Sequence, residues 1–147
     1  MKPMALILSL VATTLFADPT FRIQMGETVY APREITPEVL AFHYPDVVEE
    51  ADRSFYHIDG QRAVEYFPEP RLALFYPPSR AQFIVDDRAF GFESSKAEIE
   101  AIATSPTYVG DTNRPLLYFQ YDTVDTNLRL GYIHQTQALE QVRVEVQ

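Results

Sequence analysis

Two periodicities divide the apolar positions of this chain, and each marks a different kind of element. Leu40, His43, Tyr44, Val47, Val48 and Ala51 follow the spacing of one buried helical stripe. Thr36 can cap that helix, with Pro37 at its first position, where the missing N–H costs nothing and the fixed φ is already helical. Pro45 falls inside the run and removes the bond to the carbonyl of Ala41, so the helix kinks or restarts. Asp46 and Glu49 have capping-box spacing, which favours a restart through Val47 and Val48. Ser95 opens a further helix with Glu98 three residues on, a second capping box, and Pro106 closes it.

A period of two takes over elsewhere. Asp59-Gly60 stands between two β-rich runs from Ser54 to Phe67, the residue pair that supplies positive φ for a tight hairpin. A two-residue turn sets Ile58 opposite Gln61, His57 opposite Arg62, Tyr56 opposite Ala63 and Phe55 opposite Val64. Leu72 to Tyr76 reads as a strand ended by Pro77-Pro78, and Ala81 to Val85 and Ala89 to Glu93 bracket a turn at Asp86-Asp87-Arg88. Leu116 to Asp122 and Leu128 to Gln135 form a hairpin over the loop Thr123 to Asn127, and Leu139 to Val146 alternates as a last strand. No crossover-length βαβ unit recurs. The pattern predicts an α+β fold with a mainly antiparallel sheet of about six to eight short strands and two short helices.

The first residues change the picture of where this body works. Lys2 precedes Met4 to Phe16, a stretch without charge, and Ala17 ends it before Asp18 and Pro19. That is the pattern of a secretory signal peptide over residues 1–17, which leaves 18–147 as a single α+β domain. The stretch is shorter than the roughly twenty apolar residues a membrane span needs, and no basic stop-transfer cluster follows, so no stable membrane insertion is expected. Cysteine is absent, which removes disulfides, thiolate nucleophiles and cysteine-held zinc or iron–sulfur groups. A cysteine-free exported chain fits the periplasm better than a disulfide-rich secretome.

Charge narrows the partners. Twelve Lys and Arg against 21 Asp and Glu give a net charge of −9 over 147 residues, the wrong sign for tracking nucleic acid or an anionic bilayer. The five glycines, at 26, 60, 91, 110 and 131, are too dispersed to cradle a phosphate. Neither a Gly-x-Ser-x-Gly elbow nor a His-Glu-x-x-His pair occurs.

Three imidazoles remain, and each has a structural explanation. His43 lies on the helical stripe, His57 faces Arg62, whose charge disfavours an imidazolium, and His134 shares strand parity with Leu128, Leu130 and Tyr132. Asp122, Asp125 and Asn127 could lend oxygens to calcium, but the loop lacks the glycine and the bidentate glutamate of an EF-hand, so a solvated turn is preferred and no cofactor is expected.

Nine Tyr and ten Phe without Trp exceed what a small core absorbs, so several tyrosines are expected at an acidic surface as recognition anchors. Such a surface suits a basic protein partner. The expectation is a periplasmic inhibitor or immunity-type protein that blocks a basic envelope-targeting enzyme, a peptidoglycan hydrolase or toxin. Asp122, Asp125 and Asn127 are its expected loop contacts, and Tyr121, Tyr132 and Tyr108 its aromatic anchors. The alternatives are a small-ligand-binding or structural accessory domain of the envelope, or an uncharacterised hydrolase using His57 or His134 with a carboxylate.

Overall fold

The computed structural model describes residues 20–111, 116–123 and 125–147, so the expected leader at 1–17 lies outside the described residues. Strands β1 (Phe21–Met25) and β2 (Thr28–Tyr30) are joined by a turn in which Gly26 takes φ 59°, a conformation that a side chain would strain. β1 buries Phe21, Ile23 and Met25 and exposes Arg22, the alternation of a strand with one face in a core. A 3-10 turn at Pro32–Glu34 then leads to α1 (Pro37–His43), where the Thr36 hydroxyl accepts from the Val39 N–H at 3.2 Å, as its position implies.

The expected helical restart does not occur. Beyond Pro45 the chain forms β3 (Asp46–Glu49), antiparallel to β4 (Ser54–Ile58), with Val47 opposite Tyr56 and Val48 opposite Phe55. The ring of Pro45 pushes Tyr44 out of the helical region, to φ −132° and ψ 81°, and two adjacent β-branched valines gain more against a pleated neighbour than in a free turn.

The β4 to β5 (Gln61–Phe67) hairpin turns at Asp59 and Gly60, both at positive φ, and keeps the expected pairs Ile58–Gln61 and His57–Arg62. Past them a bulge shifts the register by one, so that Tyr56 opposes Val64 and Phe55 opposes Glu65. The bulge gives the core position opposite Tyr56 to valine in place of alanine, and Tyr56 and Val64 are 2% and 0% exposed.

The chain continues through β6 (Leu72–Phe75), β7 (Gln82–Val85), β8 (Arg88–Phe90) and α2 (Lys96–Ile102). It closes with β9 (Tyr108–Asp111), β10 (Leu116–Asp122), β11 (Thr126–Ile133) and β12 (Leu139–Val146). The Ser95 capping box is present in full, its hydroxyl accepting from the Glu98 N–H at 3.1 Å while the Glu98 carboxylate accepts from the Ser95 N–H at 2.9 Å. Among the described residues no helix is long and apolar enough to cross a membrane.

The strands form two antiparallel sheets, ordered β2-β1-β7-β8 and β3-β4-β5-β6-β12-β11-β10-β9. The mainly antiparallel expectation therefore holds in outline. Twelve strands stand among the described residues where six to eight were expected, the additional ones being β1, β2, β3 and β9. One core joins the sheets, with the rings of Phe75 and Phe83 meeting edge to face at 5.4 Å. Across the larger sheet Tyr56, Val64, Phe75, Val142 and Leu130 form one inward row along neighbouring strands.

The next row faces out. It runs through Phe55, Glu65, Leu74, Arg143 and Arg129, and Glu65, only 5% exposed, pairs with Arg53 at 2.9 Å and accepts from the Tyr76 hydroxyl at 3.0 Å. Burial and the Glu65 carboxylate push the Tyr76 hydroxyl up to about 12. From α2 the Lys96 ammonium reaches over the rings of Phe119 and Tyr132, 4.9 and 5.5 Å from their centroids, and pairs with Glu100 at 3.0 Å.

Candidate functional site

Five of the expected site residues, Asp122, Asp125, Asn127, Tyr121 and Tyr108, gather at one end of the larger sheet, while Tyr132 lies toward the other end of β11, opposite Leu117. β10 and β11 stay paired as far as Asp122 opposite Asn127, so the connection is tighter than the loop expected from Thr123 to Asn127, and the Thr123 N–H closes it on the Thr126 carbonyl at 2.9 Å. Asp122 is exposed but well partnered. Its carboxylate accepts from Asn127 Nδ2, from Thr107 Oγ1 at 2.9 Å and from Gln120 Nε2 at 3.3 Å, and these donors hold it below the usual carboxylate range. Asp125 accepts from Arg33 at 3.3 Å and from the hydroxyls of Thr123 and Thr126 at 3.3 and 3.2 Å. Asn127 is 7% exposed, its amide spent between Asp122 and Arg143.

Of the three expected loop contacts, then, two carboxylates reach solvent and Asn127 is a buried brace. The oxygens of Asp122 and Asp125 are committed to protein donors, and among the described residues no group of three His, Asp or Glu side chains could hold a metal ion.

The tyrosines separate in the same way. Tyr132 is 1% exposed and packs edge to face on Phe119 at 5.5 Å, so it offers no surface to a partner, and burial pushes its hydroxyl up. Its parity with Leu128 and Leu130 dictates this, because all three point inward from β11. Tyr121 is half-buried, donates to the Ala103 carbonyl at 3.0 Å and is pushed up to about 12 by burial.

Tyr108 alone of the nine tyrosines is largely exposed, at 59%, and with Val109, at 50%, it occupies β9, the terminal strand of the eight-stranded sheet. Thr107 carries β9 alongside β10 by donating from its N–H to the Gln120 carbonyl at 2.7 Å and from its hydroxyl to Asp122. The hairpin pattern placed Tyr121 beside Asp122. It carried no sign that Tyr108 would join them, since that depends on β9, four residues too short to show a period.

The imidazoles occupy a different region. His43 and His57 line one hollow of about 550 Å³ beside α1, together with Asp46, Asp59 and Arg80. His43 Nε2 and the Tyr30 hydroxyl share a hydrogen bond of 2.8 Å, and desolvation holds the imidazole below its ordinary value. Among the described residues no serine or threonine lines the hollow, and the Tyr44 hydroxyl there is bonded to Ser79 at 2.6 Å. Two imidazoles and two carboxylates thus share one cavity.

No protein-family model, no curated protein and no solved structure matches the chain.

Proposed function

We propose that this is an exported acidic binding protein, a periplasmic inhibitor or immunity-type protein that docks on and blocks a basic envelope-targeting enzyme such as a peptidoglycan hydrolase. The observation that carries the reading is the β9 edge, where Tyr108 and Val109 stand 59% and 50% exposed on the strand that ends its sheet among the described residues. Native sheets guard such edges with charge, because unpaired N–H and C=O groups beside apolar side chains invite another chain. The opposite edge shows the guard: β3 sets Val48, 47% exposed, between Asp46 and Glu49. β9 reads Tyr-Val-Gly-Asp, with one acid, Asp111, at its last position where β3 has one at each end, and the carboxylates of Asp122 and Asp125 stand at the adjoining hairpin end. Aromatic and aliphatic anchors beside negative charge suit a basic cleft, and the net charge of −9 speeds encounter with one.

The test has two arms. Purified chain titrated against basic muramidases and amidases at low salt is expected to inhibit at least one, with inhibition falling as salt rises. Tyr108→Ala and Val109→Lys are expected to weaken that inhibition by about tenfold or more, the range of interface anchors. Inhibition equal in wild type and both variants would remove β9 as the docking edge. Cell fractionation with N-terminal sequencing checks export, and cytosolic material still carrying Met1 would remove the proposed targets.

A further inference from the structure

The open end between the two sheets holds a second concavity, which shares Thr107, Tyr121 and Asp122 with the candidate site beside β9. Phe21 and Val85 come to it from the smaller sheet and Leu128 from the larger, while the segment after α2 contributes Ala103; they floor a cavity of about 330 Å³. That volume lies within the range of sites for small organic molecules. Hydroxyls ring its mouth, among them Thr104, Ser105 and Thr123, and Asp122 is the one charged side chain among the described lining residues.

The walls are held before any ligand arrives. The Tyr121 hydroxyl ties the Ala103 carbonyl at 3.0 Å, and Thr107 is latched to Gln120 and Asp122. Between these ties Ser105 is kept at φ 57°, a left-handed conformation that a non-glycine residue rarely adopts. A binding site whose walls are fixed in this way loses little conformational freedom on binding.

We propose that this cavity binds a small neutral molecule with an apolar body and a hydroxyl head, the body lying on Phe21, Val85 and Leu128 and the head among the threonine and serine hydroxyls. The Asp122 carboxylate sets the selectivity. It repels a carboxylate head at the same mouth, and no Lys or Arg stands among the described lining residues, Arg129 acting on Asp122 from outside them, so a fatty-acid-like anion binds more weakly than the matching alcohol.

Octanol and octanoate, alike except at the head, are the probes, titrated into the full chain and followed by backbone amide shifts. Octanol is expected to give saturable shifts centred on Val85, Ala103 and Leu128, with octanoate at least about tenfold weaker. Asp122→Asn, which keeps the acceptor for Thr107, is expected to narrow that difference to a few-fold. Thr104→Trp, a substitution at an exposed rim position, is expected to abolish octanol binding while leaving the melting temperature near that of the wild type. Non-saturable shifts, shifts centred elsewhere, or octanoate binding as tightly as octanol would overturn the proposal.

Discussion

Phe83 shows how much of this fold one side chain can carry. Fully buried on β7, it meets Phe75 across the sheets at 5.4 Å, Phe90 at 5.7 Å and Phe92 at 5.9 Å, so its removal empties the junction of both sheets. Phe83→Ala is expected to cost about 3–5 kcal/mol, read as a lower denaturant midpoint at unchanged slope. The same scale explains the correction at Tyr132. Counting aromatics suggests spare tyrosines for the surface, whereas strand parity assigns Tyr132 to the side of Leu128 and Leu130. Parity is the stronger guide, because a half-buried strand fixes each side chain to one face before any count of core volume applies. Asn127 was legible only in part: its place in the hairpin follows from sequence, but its burial follows from Arg143 on β12, a contact across the sheet.

At the scale of elements, local chemistry was readable wherever a few neighbouring residues decide the outcome. The Thr36 and Ser95 caps, the Asp59-Gly60 turn and the eight expected strands all depend on short-range signals. Ser95→Ala removes the acceptor for the Glu98 N–H and is expected to cost about 1 kcal/mol, measured by thermal unfolding. The helical stripe through Val47 and Val48 failed because the competing partner, β4, lies outside any local window. The bulge before Val64 was hidden for a related reason, since its gain is a better core residue opposite Tyr56 and nothing in the hairpin sequence requires it. β1 differs from both. Its alternation of Phe21, Ile23 and Met25 around polar positions was in plain view, followed by Gly26 as a turn residue.

On the larger sheet the arginines are held against both rings and acids. Arg53, Arg62 and Arg129 lie over the rings of Phe67, Phe55 and Tyr118 at 4.7, 4.3 and 5.4 Å, three stacked cation–π contacts. Buried phenols set a limit at high pH. Tyr76 and Tyr121 ionise near 10 when unfolded and near 12 when folded, so both bind their protons more tightly in the native state. The stability they lend is complete below pH 10 and disappears as pH rises through about 12. The phenolate absorbance of Tyr76 and Tyr121, read as the difference between the wild type and their Phe variants, is therefore expected to appear together with loss of secondary structure in that interval. Such a difference signal well below it, with the fold intact, would show these hydroxyls to be freely titrating.

Lys96 bears on how such a protein can be handled. The chain has two lysines, Lys2 and Lys96, and the side chain of Lys96 is 20% exposed, seated on two aromatic faces and bound to Glu100. Amine-directed acylation and crosslinking reagents therefore meet little nucleophile on the folded body, and any label that does arrive at Lys96 times the lifting of α2 from the sheet beneath it.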